Sequence, residues 1–296
     1  MANRYWVGGS GTWDATNTAN WSATSGGAGG ASVPGSADTV TFNAASGAVT
    51  VTLGYNPTVQ TINFTGFTGT FNGVGSSYTI TLNSTGSVWT AVSGMTLNGA
   101  PNITLSDTSA TARTFTTGGK TYGNVVIGGS TGSSNTTITG TCTIGTLSST
   151  KTVAHTVTFA TTNTYTISNW SITGSAGNVV TVTSSSATSA ATVVNVTNRT
   201  SGIDYLDVIA IRSSNVQPIT FYVGANSTIR QSVLGVAAVA PTANEYIYVL
   251  TSGISWTTPA DWNNSNNEIH LFGGGAGGAG GYFNATRGGG GGGGGG

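Results

Sequence analysis

TINFTGFTGTFNG (residues 61–73), TLNGAPNITLSDTS (96–109) and TFTTGGKTYGNVVIGG (114–129) share one pattern. A short run of alternating apolar and hydroxyl residues reaches a glycine or asparagine, and another run begins. The units follow one another at roughly 20 to 25 residues, the period of stacked coils. The same alternation recurs in Val49, Val51 and Leu53, in Tyr78, Ile80 and Leu82, in Val157 and Phe159, in Tyr165 and Ile167, and in Val194 and Val196. Period two means that these side chains share one face of a strand.

Threonines such as Thr50, Thr52, Thr79 and Thr81 occupy the opposite face. A β-branched residue suits the pleated backbone, and its hydroxyl keeps that face hydrated without charge. Glycine, asparagine and serine after nearly every run supply the turns. No segment before residue 200 has the apolar period and caps of an amphipathic helix. A sandwich, a barrel and a β-solenoid all fit short, closely spaced strands, and the repeating units favour the solenoid. The expected fold is all-β, an elongated β-solenoid or parallel β-helix followed by a glycine-rich region.

Composition narrows the function. Charged residues are 5% of the 296, with eight Lys and Arg against eight Asp and Glu, whereas an ordinary soluble domain carries roughly 25%. Such a chain has no basic field for phosphates, so nucleic-acid binding and attachment to an anionic membrane surface are not expected. Aromatic and β-branched residues are too frequent for a disordered chain. The single cysteine, Cys142, shares parity with Ile138 and Ile144 and reads as a small buried hydrophobe. It cannot form an intrachain disulfide or a multi-cysteine metal site. The start, MANRYWVGGSGTW, has no basic leader or apolar core of a signal peptide, and no 18-residue apolar run occurs, so no membrane insertion is expected. Synthesis in a cytoplasm without an export signal, with release at lysis, is the expectation.

Trp6, Trp13 and Trp21 precede the regular strands, so residues 1–35 read as a cap on the open end of the stack, with Asp14, Asn17 and Asn20 tying its turns. An aromatic platform for a sugar is the alternative for these rings. Residues 36–230 read as the shaft, 231–255 as connecting strands and 256–296 as a glycine-rich module.

The stretches WVGGSGTWD (6–14), NWS (20–22), VPGSADTVTF (33–42) and TINFTGFTGTF (61–71) resemble the beginnings of repetitive β-helical proteins in bacteriophage genomes and of autotransporter-like adhesins. IDYLDVIAIRSSNVQPITFYVGANSTI (203–229) resembles a closing strand pair common in phage structural and tail-fibre proteins, with Val216, Gln217 and Pro218 in place of small residues and Phe221 in place of tryptophan. SWTTPADWNNSNNEIHLFGGGAGGAGG (255–281) is similar to the glycine-rich modules of phage tail fibres through Trp256, Pro259, Trp262, Ile269, Leu271 and Phe272. That likeness implies glycine segments packed as polyglycine II helices and loops that contact a receptor. Trp256, Pro259, Trp262, Phe272, Tyr282 and Phe283 are then the candidates for assembly or receptor binding. The terminal glycine run is expected to be ordered by strands of other subunits, and whether the chain continues past Gly296 is left open.

Catalysis on such a fold needs facing carboxylates, or a carboxylate with a basic partner. The best local set is Asp204, Asp207 and Arg212, but the two acids differ in parity, so a turn or an ion pair is the expectation. His155 and His270 stand in no metal-ligand spacing and beside no evident nucleophile; His155 reads as a turn or surface residue. Glycine-loop matches in the tail follow from any glycine run, and no cofactor is expected. The leading expectation is a non-enzymatic virion fibre or adhesin subunit, homotrimeric, contacting other virion proteins and a host-surface glycan or outer-membrane protein. A capsid head fibre or decoration protein and a β-helical glycan depolymerase are the alternatives.

Overall fold

The computed structural model describes residues 2–186, 188–195, 202–213, 221–230, 233 and 235–237, and the backbone of 268–271 and 281–284. The chain forms two units, residues 1–249 and 250–296.

The first unit is a parallel β-solenoid of about eight turns. Its long sheet gains one strand per coil in chain order: Asp38–Thr41, Thr61–Asn63, Gly86–Thr90, Arg113–Thr116, Thr136–Thr139, His155–Phe159, Val180–Ser184, Leu206–Ile209 and Thr228–Ile229. Successive starts lie 19 residues apart (136 to 155) to 27 apart (86 to 113), so the repeat expected from sequence is the coil. A second sheet contains Thr58–Val59, Thr79–Leu82, Asn102–Leu105, Thr121–Ile127, Cys142–Ser149, Thr164–Ser171, Ala191–Asn195 and Ile211–Arg212. A third, shorter sheet contains Gly11–Trp13, Thr50–Leu53, Thr70–Asn72 and Thr96–Asn98.

Because the coils stack in register, like side chains form axial columns. Val40, Ile62, Trp89, Phe115, Ile138 and Phe159 pair in succession along the long sheet, all fully buried. Ile80, Ile103, Val125, Leu147 and Trp170 form the matching column of the second sheet. Burying each such side chain contributes about 1.5–3 kcal/mol, before the entropy of ordering the chain is subtracted. Outward-facing hydroxyls stack in the same way, as in Thr114, Thr137, Thr158 and Thr183. The period-two pattern therefore places the core inside the coil and a neutral hydroxyl surface outside it.

The cross-section changes along the stack. The first three coils have three strands each; the coils opened at Arg113, Thr136 and His155 have two, and there the strand of the second sheet reaches seven or eight residues. These long strands turn a corner. Pairing skips Gly123 against Gly145 and Gly145 against Ser168, and the buried positions change parity there, from Tyr122 to Val125 and from Ile167 to Trp170. Two consecutive outward residues bend the strand, as a β-bulge does. A Cβ on Gly123 would stand 2.5 Å from Asn102 Oδ1 and 2.7 Å from the Ala100 carbonyl oxygen, so the tight corner requires glycine.

The N-terminal segment is hydrogen-bonded into the stack. Ala2–Trp6 pairs in parallel with Asp38–Thr41, Gly11–Trp13 with Thr50–Leu53, and Trp21–Ser22 runs antiparallel to the first strand. Helical structure among the described residues is confined to the single 3-10 turns Thr18–Asn20, Ala44–Ser46 and Gly75–Ser77. No helix among them is long and apolar enough to cross a membrane.

In ATVVNV, Ala191 and Val193 are buried, with Val193 opposite Tyr165. The side chain of Val194, expected to share a face with Val196, lies outside the described residues. Val196 lies outside the described residues, as do Val216, Gln217 and Pro218.

In the second unit Glu268–Leu271 and Gly281–Asn284 pair antiparallel, with Ile269 opposite Phe283 and His270 opposite Tyr282. Trp256, Pro259, Trp262, Phe272 and the terminal glycine run fall outside the described residues.

Candidate functional site

The N-terminal aromatic residues form one cluster. Trp21 lies edge-to-face against both Trp6 and Trp13, each at 5.1 Å between ring centroids, and all three rings lie 6.1–6.2 Å from Phe42. Phe42 stacks on Phe64 at 5.0 Å, which continues the cluster into the axial core. Trp6, Trp13 and Trp21 are each 0% exposed, so none presents a face on which a sugar could stack. The turns around them close on short polar side chains. Asp14 Oδ1 accepts from the Thr16 and Asn17 amides at 2.8 and 2.7 Å, Asn17 Oδ1 accepts from the Ala19 amide at 3.0 Å, and Asn20 Nδ2 donates to the Thr12 carbonyl at 3.2 Å.

Asp204 and Asp207 do not converge. Asp204 closes a turn, accepting from the Tyr205 amide at 2.9 Å and from the Asn226 amide and side chain at 2.8 and 2.7 Å. Asp207 pairs with Arg230 at 2.6 Å, and Arg212 does not take part. Cys142 is a buried free thiol, and burial pushes its pKa up to about 12. No group of three or more His, Cys, Asp and Glu with metal-binding geometry occurs among the described residues.

His155 overturns the expectation of a turn or surface residue. It opens the strand His155–Phe159 with the inward parity of Val157 and Phe159, and is 4% exposed. Its Nδ1 lies 2.9 Å from the Val153 carbonyl oxygen and its Nε2 lies 2.9 Å from Ser149 Oγ. A carbonyl only accepts, so Nδ1 carries the proton; in the neutral ring Nε2 then accepts from the Ser149 hydroxyl. Burial holds the imidazole pKa below its usual value; the Val153 hydrogen bond opposes that shift, and the charges of Lys151 and Arg113 add to it.

These two cations are themselves enclosed. Arg113 is 0% exposed and donates to the Gly128 carbonyl at 3.3 and 3.4 Å and to Thr136 Oγ1 at 3.3 Å; its Nε finds no acceptor among the described residues. Lys151 is 8% exposed and donates to the Gly132 carbonyl, to Ser134 Oγ at 3.1 Å and to the Gly129 carbonyl at 3.4 Å. Burial, reinforced by the Arg113 charge and opposed by that of Asp107, lowers the Lys151 pKa to about 8. Three basic residues from neighbouring coils thus meet at one corner of a chain that is otherwise sparsely charged.

A groove of about 290 Å³ opens at this corner, lined by residues 149–152 and by 173–175 with Asn178. Its polar groups are hydroxyls, an amide and backbone. Lys151, itself part of the lining, directs its ammonium to the loop carbonyls of Gly129 and Gly132. Sequence reasoning missed the Ser149–His155 contact because serine is common throughout and the two residues come together only across a turn. The parity of His155 with Val157 and Phe159 was the available signal.

No protein-family model matches the chain, and comparisons with curated proteins and with solved structures found no similar protein.

Proposed function

We propose that the chain is a fibre or adhesin subunit of a bacteriophage virion. The solenoid serves as a rigid shaft, and the glycine-rich region binds a host surface or joins the fibre to further protein. The carrying observation is the uninterrupted stack, about eight parallel coils on continuous buried columns. At about 4.8 Å per strand step, such a stack advances roughly 40 Å. Every inner strand is hydrogen-bonded on both sides, so bending must break ladders in several coils together. The neutral Thr, Ser and Asn exterior provides a hydrated wall with few charges to attract nonspecific partners.

The resemblance of 203–229 and 255–281 to phage fibre segments supplies the viral part of the reading, with a homotrimer as its assembly. The test is binding of the full chain and of a truncation ending at residue 250 to cells of the host. Binding that requires the removed segment supports the adhesin. Binding by neither protein rejects the adhesive role.

A further inference from the structure

The Ser149–His155 pair has three properties of an acyl-transfer centre, and they arise from different parts of the fold. Ser149 ends the strand Cys142–Ser149 and is a half-buried residue of the groove lining. His155 starts the next coil, and the Val153 carbonyl fixes its tautomer so that the free Nε2 lone pair faces the serine hydroxyl at 2.9 Å. The Ile127 carbonyl, 3.2 Å from Ser149 Oγ, is a second and more distant acceptor for the one hydroxyl proton, and the Lys151 amide donates to Ser149 Oγ at 3.3 Å. A serine held by a base that a third group orients is the general arrangement of an activated nucleophile.

The geometry points to Ser149 as a nucleophile and His155 as its general base in hydrolysis of small acyl esters on a hydroxylated carrier, such as an O-acetylated glycan. This inference stands independently of the virion reading.

In the reaction, Ser149 Oγ bonds to the ester carbonyl carbon as its proton passes to His155 Nε2. The tetrahedral adduct collapses by breaking the bond to the carrier oxygen, which takes the proton from His155 and leaves as the alcohol. Water, deprotonated by the same nitrogen, then attacks the acyl-serine, releasing the carboxylic acid and restoring the serine hydroxyl. The Lys151 amide donates to the attacking oxygen at 3.3 Å. The enclosed Arg113 and Lys151 charges favour a developing oxyanion, while the same field makes the imidazolium harder to form. The groove accommodates a small acyl group and a sugar ring: its volume is near the lower end for ligand pockets, and its wall offers hydroxyls, an amide and backbone instead of an apolar channel.

The full-length protein is to be treated with a fluorophosphonate and assayed with 4-nitrophenyl acetate and with acetylated xylan. One adduct on Ser149, ester hydrolysis above buffer and acetate release from xylan are expected. Ser149→Ala loses the adduct and the turnover, whereas Ser149→Cys still acylates. His155→Gln slows the reaction by roughly 100-fold or more, with the fold checked by far-ultraviolet circular dichroism. The rate should rise with pH through an ionisation below the ordinary imidazole value of 6.5. Absence of a Ser149 adduct on folded protein, or hydrolysis by Ser149→Ala at the parent rate, overturns the nucleophile. Turnover of 4-nitrophenyl acetate with no acetate from xylan overturns the glycan carrier.

Discussion

The Trp89 indole donates to the Tyr122 hydroxyl at 3.0 Å, and that hydroxyl donates to the Thr117 carbonyl at 2.8 Å. Tyr122 is 1% exposed and lies where the stack passes from three strands per coil to two. Its ring packs on Phe115 at 5.0 Å, while its hydroxyl satisfies two buried groups that water does not reach. Tyr122→Phe keeps the ring, takes the acceptor from the buried Trp89 indole and removes one of two donors from the Thr117 carbonyl, which still accepts from the Lys120 amide at 3.1 Å. Destabilisation of about 1–3 kcal/mol is expected, read as a lower denaturant midpoint with an unchanged slope.

Gly123→Ala tests the corner beside it. The new Cβ would collide with Asn102, whose Oδ1 accepts from the Asn124 amide at 2.8 Å. Displacing Asn102 breaks that bond between coils, and crowding of this kind costs about 1–3 kcal/mol. A change in thermal midpoint smaller than that of an exposed Thr→Ala control would contradict the close packing of the corner.

Cys142 is expected to be inert in the native state. The thiolate is the reacting form, and with the pKa near 12 almost none exists at neutral pH. A thiol reagent should modify it at the rate of unfolding and label it promptly in denaturant. Prompt labelling of native protein would contradict its burial.

His155 sets a pH dependence. Its folded pKa is lowered by burial, and the Lys151 and Arg113 charges act in the same direction. Between that lowered value and 6.5 the unfolded chain binds a proton that the folded chain does not, so stability falls as pH falls through this window. Lys151 adds a second window from about 8 to 10.5, in which stability rises with pH for the same reason. Thermal midpoints at constant ionic strength should decrease from pH 7 to pH 5, with a shallower decrease in His155→Gln. Equal slopes in the two proteins would exclude His155 as the cause.

The coil architecture was legible because it depends on side-chain alternation, and Val51 with Leu53, Ile80 with Leu82 and Tyr165 with Ile167 all point inward as read. The corner at Gly123 and Gly145 was not, since a one-residue skip leaves no local mark among so many glycines. His155 was misread because its polarity suggested the surface; its inward position depends on partners at Ser149 and Val153 that become neighbours only after the coil closes. The asparagine and aspartate turns at 14–20 were readable because their bonds are local.

The proposed role as a virion fibre depends on where the protein resides. Particles purified from a lysate of producing cells should contain the chain by mass spectrometry, and antibody against residues 36–230 should label their tails. Labelling confined to the heads would replace the tail-fibre reading with a head fibre, and absence of the protein from purified particles would contradict the structural role.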